Sequence, residues 1–138
     1  MKKHKLLSLS VMTIALTIVS CADKESPASL EGKWNISKMQ VTTDGVADTE
    51  EAFPGNQTGC KNDYFVFAAA TGIYGDYDTE DCTLTANPLT YTKTGNKIAV
   101  TGLDTDVINF EIVTLTASQL KLKEIQGGDY AVYTLTKQ

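Results

Sequence analysis

The 138-residue sequence predicts an all-β protein, a small eight-stranded antiparallel up-and-down barrel preceded by a segment that reads as a cleaved signal. Three observations predict it. From Leu30 onward no stretch keeps a helical period, whereas short alternating runs rich in Val, Ile, Thr, Tyr and Phe recur. Tight joins built on Gly, Asn or Ser separate most of those runs, which suits hairpins between neighbouring strands. A meander of eight strands leaves two unpaired edges, and closure alone removes both.

The chain begins with Lys2, Lys3, His4 and Lys5, then an apolar run from Leu6 to Val19 diluted by Ser and Thr. That run is too short to anchor a protein across a bilayer, yet it has the size of a secretory signal core. It ends in Ile18-Val19-Ser20-Cys21, which resembles the bacterial lipobox, an aliphatic residue and small residues ahead of Cys. The resemblance implies that residues 1–20 are removed and that Cys21 carries a diacylglycerol. Residues 22–29, small, polar and charged with one Pro, then read as a flexible tether, so that the organisation is signal 1–20, lipidated tether 21–29 and barrel 30–138. The expected location is the cell envelope, lipid-anchored at the outer membrane, on its periplasmic face or at the cell surface. An acidic group after Cys21 loosely resembles surface-export signals of Bacteroidetes lipoproteins.

The predicted strands cover residues 33–42, 63–69, 72–78, 89–93, 97–101, 107–115, 119–125 and 130–137. Each is a run of β-branched and aromatic residues alternating with polar ones. Alternation assigns Trp34, Ile36, Phe65, Phe67, Ile98, Val100, Ile108, Phe110, Ile112, Leu120, Leu122, Tyr133 and Leu135 to the interior. The one long join, residues 43–62, holds Gly45, Pro54, Gly55, Gly59 and several acids, and is expected to lie across one end of the barrel.

Three cysteines cannot all pair within one chain. With Cys21 assigned to lipid, Cys60 and Cys82 remain, one just before the second predicted strand and the other just after the third. The two ends of such a hairpin lie side by side, and an exported protein meets an oxidising compartment, so the pair reads as a structural disulfide. Closing that loop stabilises by about 3 kcal/mol in the chain-entropy model.

Composition excludes several function classes. The chain has no Arg, and its only His, His4, leaves with the signal. Ser-His and Cys-His pairs, histidine bases and histidine zinc sites are therefore ruled out in the mature chain. The twelve Lys lose Lys2, Lys3 and Lys5, leaving 9 against 17 Asp and Glu, a formal charge of −8. Without a basic stripe to neutralise phosphates, nucleic acid is not an expected partner. Asp76, Asp78, Glu80 and Asp81 crowd together, but an EF-hand loop beginning at Asp76 needs Gly at its sixth position and Glu at its twelfth, which here are Asp81 and Asn87. They read as a solvated strand face, and no metal or other cofactor is expected.

The segment Leu30 to Met39, "LEGKWNISKM", resembles the opening of lipocalin-like domains, in which Gly-x-Trp starts the first strand. "CKNDYFVFAAATGIY" followed by Cys82, and the ending "DYAVYTLTKQ", are similar to lipocalin-like lipoproteins of Bacteroidetes. The resemblance implies that Trp34 closes the bottom of the barrel, that Gly32 lets the chain pass beneath it, and that a small ligand occupies the interior. Two features depart from the family: a Thr-Asp-Tyr-like turn is missing, and so is the Arg that packs on the Trp. Lys137 stands in about the place of that Arg and is expected to lay its stem and charge on Trp34.

Phe65, Phe67, Phe110 and Tyr133 are thus the candidate ligand-lining residues, each of which is also a good core residue. Tyr64, Tyr74, Tyr77, Tyr91 and Tyr130 fall partly on the outward phase, where they suit either glycan stacking or cross-strand packing. Two readings follow: a membrane-anchored, non-catalytic lipoprotein binding a small hydrophobic ligand, or an envelope interaction module with a solid barrel that binds a protein or glycan through its loops or outer face. An internal cavity separates them.

Overall fold

The computed structural model describes residues 28–138. The signal segment, Cys21 and the first part of the tether lie outside the described residues. Ten strands form one sheet: β1 Gly32–Thr43, β2 Val46–Ala47, β3 Glu51–Ala52, β4 Tyr64–Ala68, β5 Thr71–Tyr77, β6 Leu84–Thr94, β7 Lys97–Thr101, β8 Ile108–Leu115, β9 Gln119–Gln126 and β10 Asp129–Lys137. The path β1-β4-β5-β6-β7-β8-β9-β10 is antiparallel throughout, and β10 pairs back on β1 from Thr42↔Tyr130 to Trp34↔Lys137. The sheet is therefore a closed eight-stranded barrel, with β2 and β3 as short additions to β1.

Closure depends on β1 changing partner along one edge. Its first residues pair with β4, from Gly32↔Phe67 to Asn35↔Tyr64. Beyond Ile36, where the register against β10 shifts, the same edge takes β3 at Lys38↔Ala52 and β2 at Thr42↔Ala47. A bulge of this kind raises the local twist and bends a strand, as barrel closure requires. Residues 43–62 are thus a sheet extension along β1 as much as a cover for one end. Asn56 and Asn62 both donate to the Ile36 carbonyl, at 2.7 and 3.2 Å, and satisfy the backbone where the pairing changes.

One strand is longer than alternation predicts. β6 starts at Leu84 rather than 89, running through Pro88. The Tyr91 amide donates to the Ala70 carbonyl on the β5 side, so by alternation the Pro88 nitrogen faces the β7 side. There it lies beyond the last pair, Thr90↔Thr101, and the missing N–H leaves no gap in the ladder.

The interior holds Trp34, Ile36, Phe65, Phe67, Ile98, Val100, Phe110, Leu120, Leu122 and Leu135, all buried, with Ile108, Ile112 and Tyr133 half-buried against them. Leu30, Leu89 and Tyr91 join this core without having been assigned to it. Tyr91 is inward because it shares the phase of Leu89, two residues earlier on the same strand.

Candidate ligand-binding site

The two ends of the barrel differ. At the closed end Trp34 is fully buried, and its Nε1 donates to the Leu30 carbonyl at 2.7 Å. Leu120, Leu122 and Leu135 are also fully buried. The Lys137 ammonium lies 4.9 Å from the centre of the Trp34 ring and donates to the Ser29 carbonyl at 3.3 Å. Gly32, at φ +125°, lies so near that a Cβ there would stand 2.8 Å from Lys137 Cε. Glycine is needed for both reasons, the backbone angle and the close approach.

At the other end the interior opens into a cavity of about 360 Å³. Its floor is Ile36, Phe65 and Phe110, all buried. Phe53, Tyr74, Leu103, Ile108 and Tyr133 are half-buried and form the walls, and Asp76, Asn87 and Glu124 complete the lining on the polar side. Five of these rings form a continuous arc. Phe53 meets Tyr133 at 6.0 Å between centroids, Tyr133 meets Phe110 at 6.3 Å, Phe110 meets Phe65 at 6.3 Å, and Phe65 meets Tyr74 at 5.1 Å. Successive rings are tilted by 37–73°, so their faces and edges present to the space from several directions.

Each phenol in the wall is tied to a carboxylate. The Tyr133 hydroxyl donates to Glu124 Oε2 at 2.8 Å, and the Tyr74 hydroxyl reaches Asp63 Oδ2 at 3.4 Å. Burial, followed by these neighbouring acids, holds both phenols well above the ordinary tyrosine value, so they stay neutral donors. Asp63 is itself buried and accepts from the Tyr77 amide at 2.8 Å, while its own amide donates to Asn56 Oδ1 at 3.0 Å. Burial pushes its carboxyl up, partly offset by the Tyr77 and Tyr74 hydrogen bonds. Asp63 thereby locks Tyr74 to the end of the long join.

That join supplies the rim. Phe53 reaches into the cavity, and its amide donates to the Ser37 carbonyl at 3.1 Å. Three residues earlier, Glu50 accepts from Thr134 at 2.6 Å and Lys121 at 3.2 Å, with Lys38 at 3.7 Å, which clips the join to β1, β9 and β10. Cys60 and Cys82 are joined by a disulfide, with Cα atoms 5.3 Å apart, linking the far end of the join to the β5–β6 connection.

Of the four candidate lining residues, Phe65, Phe110 and Tyr133 lie on the cavity. Phe67 does not. It sits two residues further along β4, opposite Gly72, stacked on Phe65 at 5.7 Å and edge-on to Tyr91 at 5.1 Å. That step along the strand carries it below the floor into the filled half. Asp76 shares the inward phase of Tyr74 rather than the outer face expected for it, and lines the mouth of the cavity, where it is solvent-exposed as expected.

Among the tyrosines read as partly outward, Tyr74 and Tyr91 face in. Tyr64 is buried over Gly75, beside Tyr77 and under the Lys33 ammonium. Tyr130 faces out, its ring 3.9 Å from the Lys123 ammonium.

Phe53, Tyr74, Asp76, Asn87, Leu103 and Glu124 are lining residues that sequence reasoning did not name as such. Three had a signal: the inward phase of Leu120 and Leu122 extends to Glu124, that of Gly72 and Tyr74 to Asp76, and that of Leu89 and Tyr91 back to Asn87. Phe53 and Leu103 are on connections, where alternation gives no information.

Comparison with known proteins gives a consistent answer. A family model described as a lipocalin-like domain matches residues 30–122, more than half of the chain. A lipocalin-like protein from Bacteroides uniformis is similar in structure, with a TM-score of 0.59 and 20% identity, over 79% of this chain and 98% of that one. An uncharacterized protein from Bacteroides eggerthii superposes with a TM-score of 0.59 and 13% identity, covering 80% of this chain and 100% of that one. No curated protein matches the sequence.

Proposed function

Since the chain belongs to the lipocalin-like domain family, we propose that it is a non-catalytic, lipid-anchored envelope protein that holds one small, largely hydrophobic ligand in the open half of its barrel. The cavity carries this reading. An eight-stranded barrel is only just wide enough to be filled by its own side chains or to leave room for one small molecule, and here about 360 Å³ is left between Ile36 and the rim. That volume lies within the range of small-molecule sites, and its lining is mainly aliphatic and aromatic with a few polar groups, the usual composition of such sites. The carrier reading is also supported by the place of the opening, beside Phe53 of the long join.

Anchoring through Cys21 and a location at the outer membrane rest on the order of charged head, apolar run and lipobox. A Cys21→Ser variant is expected to lose lipid labelling and leave the membrane fraction. Unchanged fractionation and labelling would sink that part of the proposal. The carrier reading is tested by native mass spectrometry of residues 22–138 purified from the host envelope. A stoichiometric adduct that organic solvent removes supports it. A clean apo mass, unchanged after soaking in apolar probes, would turn the search toward a protein or glycan partner.

A further inference from the structure

The polar end of the cavity has one sign of charge. Among the described residues that line it, Asp76 and Glu124 are acids and none is a lysine, while the chain contains no Arg. Asp63 adds a third carboxyl just behind the wall, hydrogen-bonded to the Tyr74 hydroxyl. Beside these acids runs the arc of five rings described above, with Phe53, Tyr74 and Tyr133 in the wall and Phe65 and Phe110 on the floor. Phe65, Tyr74, Phe110 and Tyr133 belong to the barrel itself, and Phe53 is brought in by the join.

This combination selects among hydrophobic ligands. A fatty acid would have to bring its carboxylate to a rim that holds two others, with no donor cation to receive it, and like charges brought together in a partly desolvated site repel. A cation meets the opposite situation. Aromatic faces attract alkylammonium groups, most strongly when several rings approach from different directions and water is excluded. The carboxylates behind and beside the rings add to the attraction and lie on the inward side of their strands, where a head group would arrive. A neutral head group gains neither effect.

We infer that the lipocalin-like cavity prefers a cationic amphiphile, an apolar chain or ring bearing an alkylammonium head that rests against the upper rings of the arc, Phe53, Tyr74 and Tyr133, with Asp76 and Glu124 as its counter-charges. This rests on the carrier reading and specifies it. The rim's carboxylates orient the ligand, head toward the opening and apolar part toward Ile36, Phe65 and Phe110.

The test uses three probes of equal chain length: decyltrimethylammonium, decanol and decanoate. Because the closed barrel lies wholly within residues 28–138, a chain starting at residue 22 keeps every contact of the site. Calorimetric titration is expected to rank the ammonium tightest, decanol next and decanoate weakest, with about tenfold or more between the first and the last. In an Asp76→Asn, Glu124→Gln variant that ammonium-over-decanoate ratio should shrink to about threefold or less, with a parent-like circular dichroism spectrum and a cooperative thermal unfolding transition as the control for folding. Gln at position 124 still accepts from the Tyr133 hydroxyl, so the wall is retained. Decanoate binding as tightly as the ammonium would overturn the charge preference and leave the carrier reading standing. If none of the three binds, the carrier reading fails and this inference with it.

Discussion

The closed and open halves of this barrel are made from the same strands and the same alternation, yet one is solid and the other hollow. Near the closed end the inward positions are Trp34, Phe67, Leu120, Leu122 and Leu135, large apolar side chains that fill the section. Toward the other end the inward positions, on β5, β6, β9 and β10, become Tyr74, Asp76, Asn87, Glu124 and Tyr133, which cannot all be buried and so hold the section open. The difference teaches that the site needs no special element. Polar residues placed in the inward phase near one end of an ordinary meander are enough, provided that the other end carries the stability.

That division of labour can be broken from either end. The largest effect is expected from Trp34→Ala, which removes a fully buried indole and its hydrogen bond to Leu30. A loss of about 3–5 kcal/mol is expected in denaturant unfolding. Next is the covalent tie at the open end: a Cys60→Ser, Cys82→Ser variant should lose about 3 kcal/mol. Unlike the tryptophan change, it should also weaken ligand binding in the fraction that remains folded, because the join carrying Phe53 is released at one end. Equal binding by the two variants at matched stability would contradict the division. Lys137→Met keeps most of the stem over Trp34 and removes the charge, so about 0.5–1 kcal/mol should be lost with ligand affinity unchanged.

The smallest effect is at the clip. Hydrogen bonds from Thr134 and Lys121 hold the Glu50 carboxyl below its usual value of 4.5. A folded value below the unfolded one means that this contribution is complete above the unfolded value and is lost as pH falls through the folded one. Asp63 acts in the opposite sense. Its carboxyl is raised from 3.8 by burial, so protonation on acidification relieves a cost and stability rises as pH falls through the folded value. Glu50→Gln should therefore cost about 0.2–1 kcal/mol at neutral pH and flatten the acid-side decline in unfolding free energy. A decline as steep as in the parent chain would exclude Glu50 as its source.

Much of the closed half could be read from the sequence. The resemblance of the chain's opening and ending to lipocalin-like domains points to Gly32, Trp34 and Lys137, and the period of two places Leu120, Leu122 and Leu135 inside without knowledge of any neighbour. The open half was legible only in part, for a physical reason. Alternation is a signal only while the inward residues are apolar; where they turn polar, as at Asp76 and Glu124, the backbone keeps its phase but the pattern that reveals it disappears. Phe67 was misplaced because phase says which side a residue faces and not how far along the axis it lies. Phe53 comes from a connection whose course is set by distant contacts, among them Glu50 with Thr134 and Asn56 with the Ile36 carbonyl, and no local pattern encodes those.

The chain enters and leaves the barrel at the same end. Ser29 and Leu30 touch Lys137 and Trp34, and the Gln138 amide donates to the Lys33 carbonyl at 3.0 Å. A lipid on Cys21 would therefore attach to the domain on the side of its solid base, through the tether of residues 22–29. The opening would lie at the end of the barrel farther from the lipid, so that cargo could enter and leave without the anchor in its path.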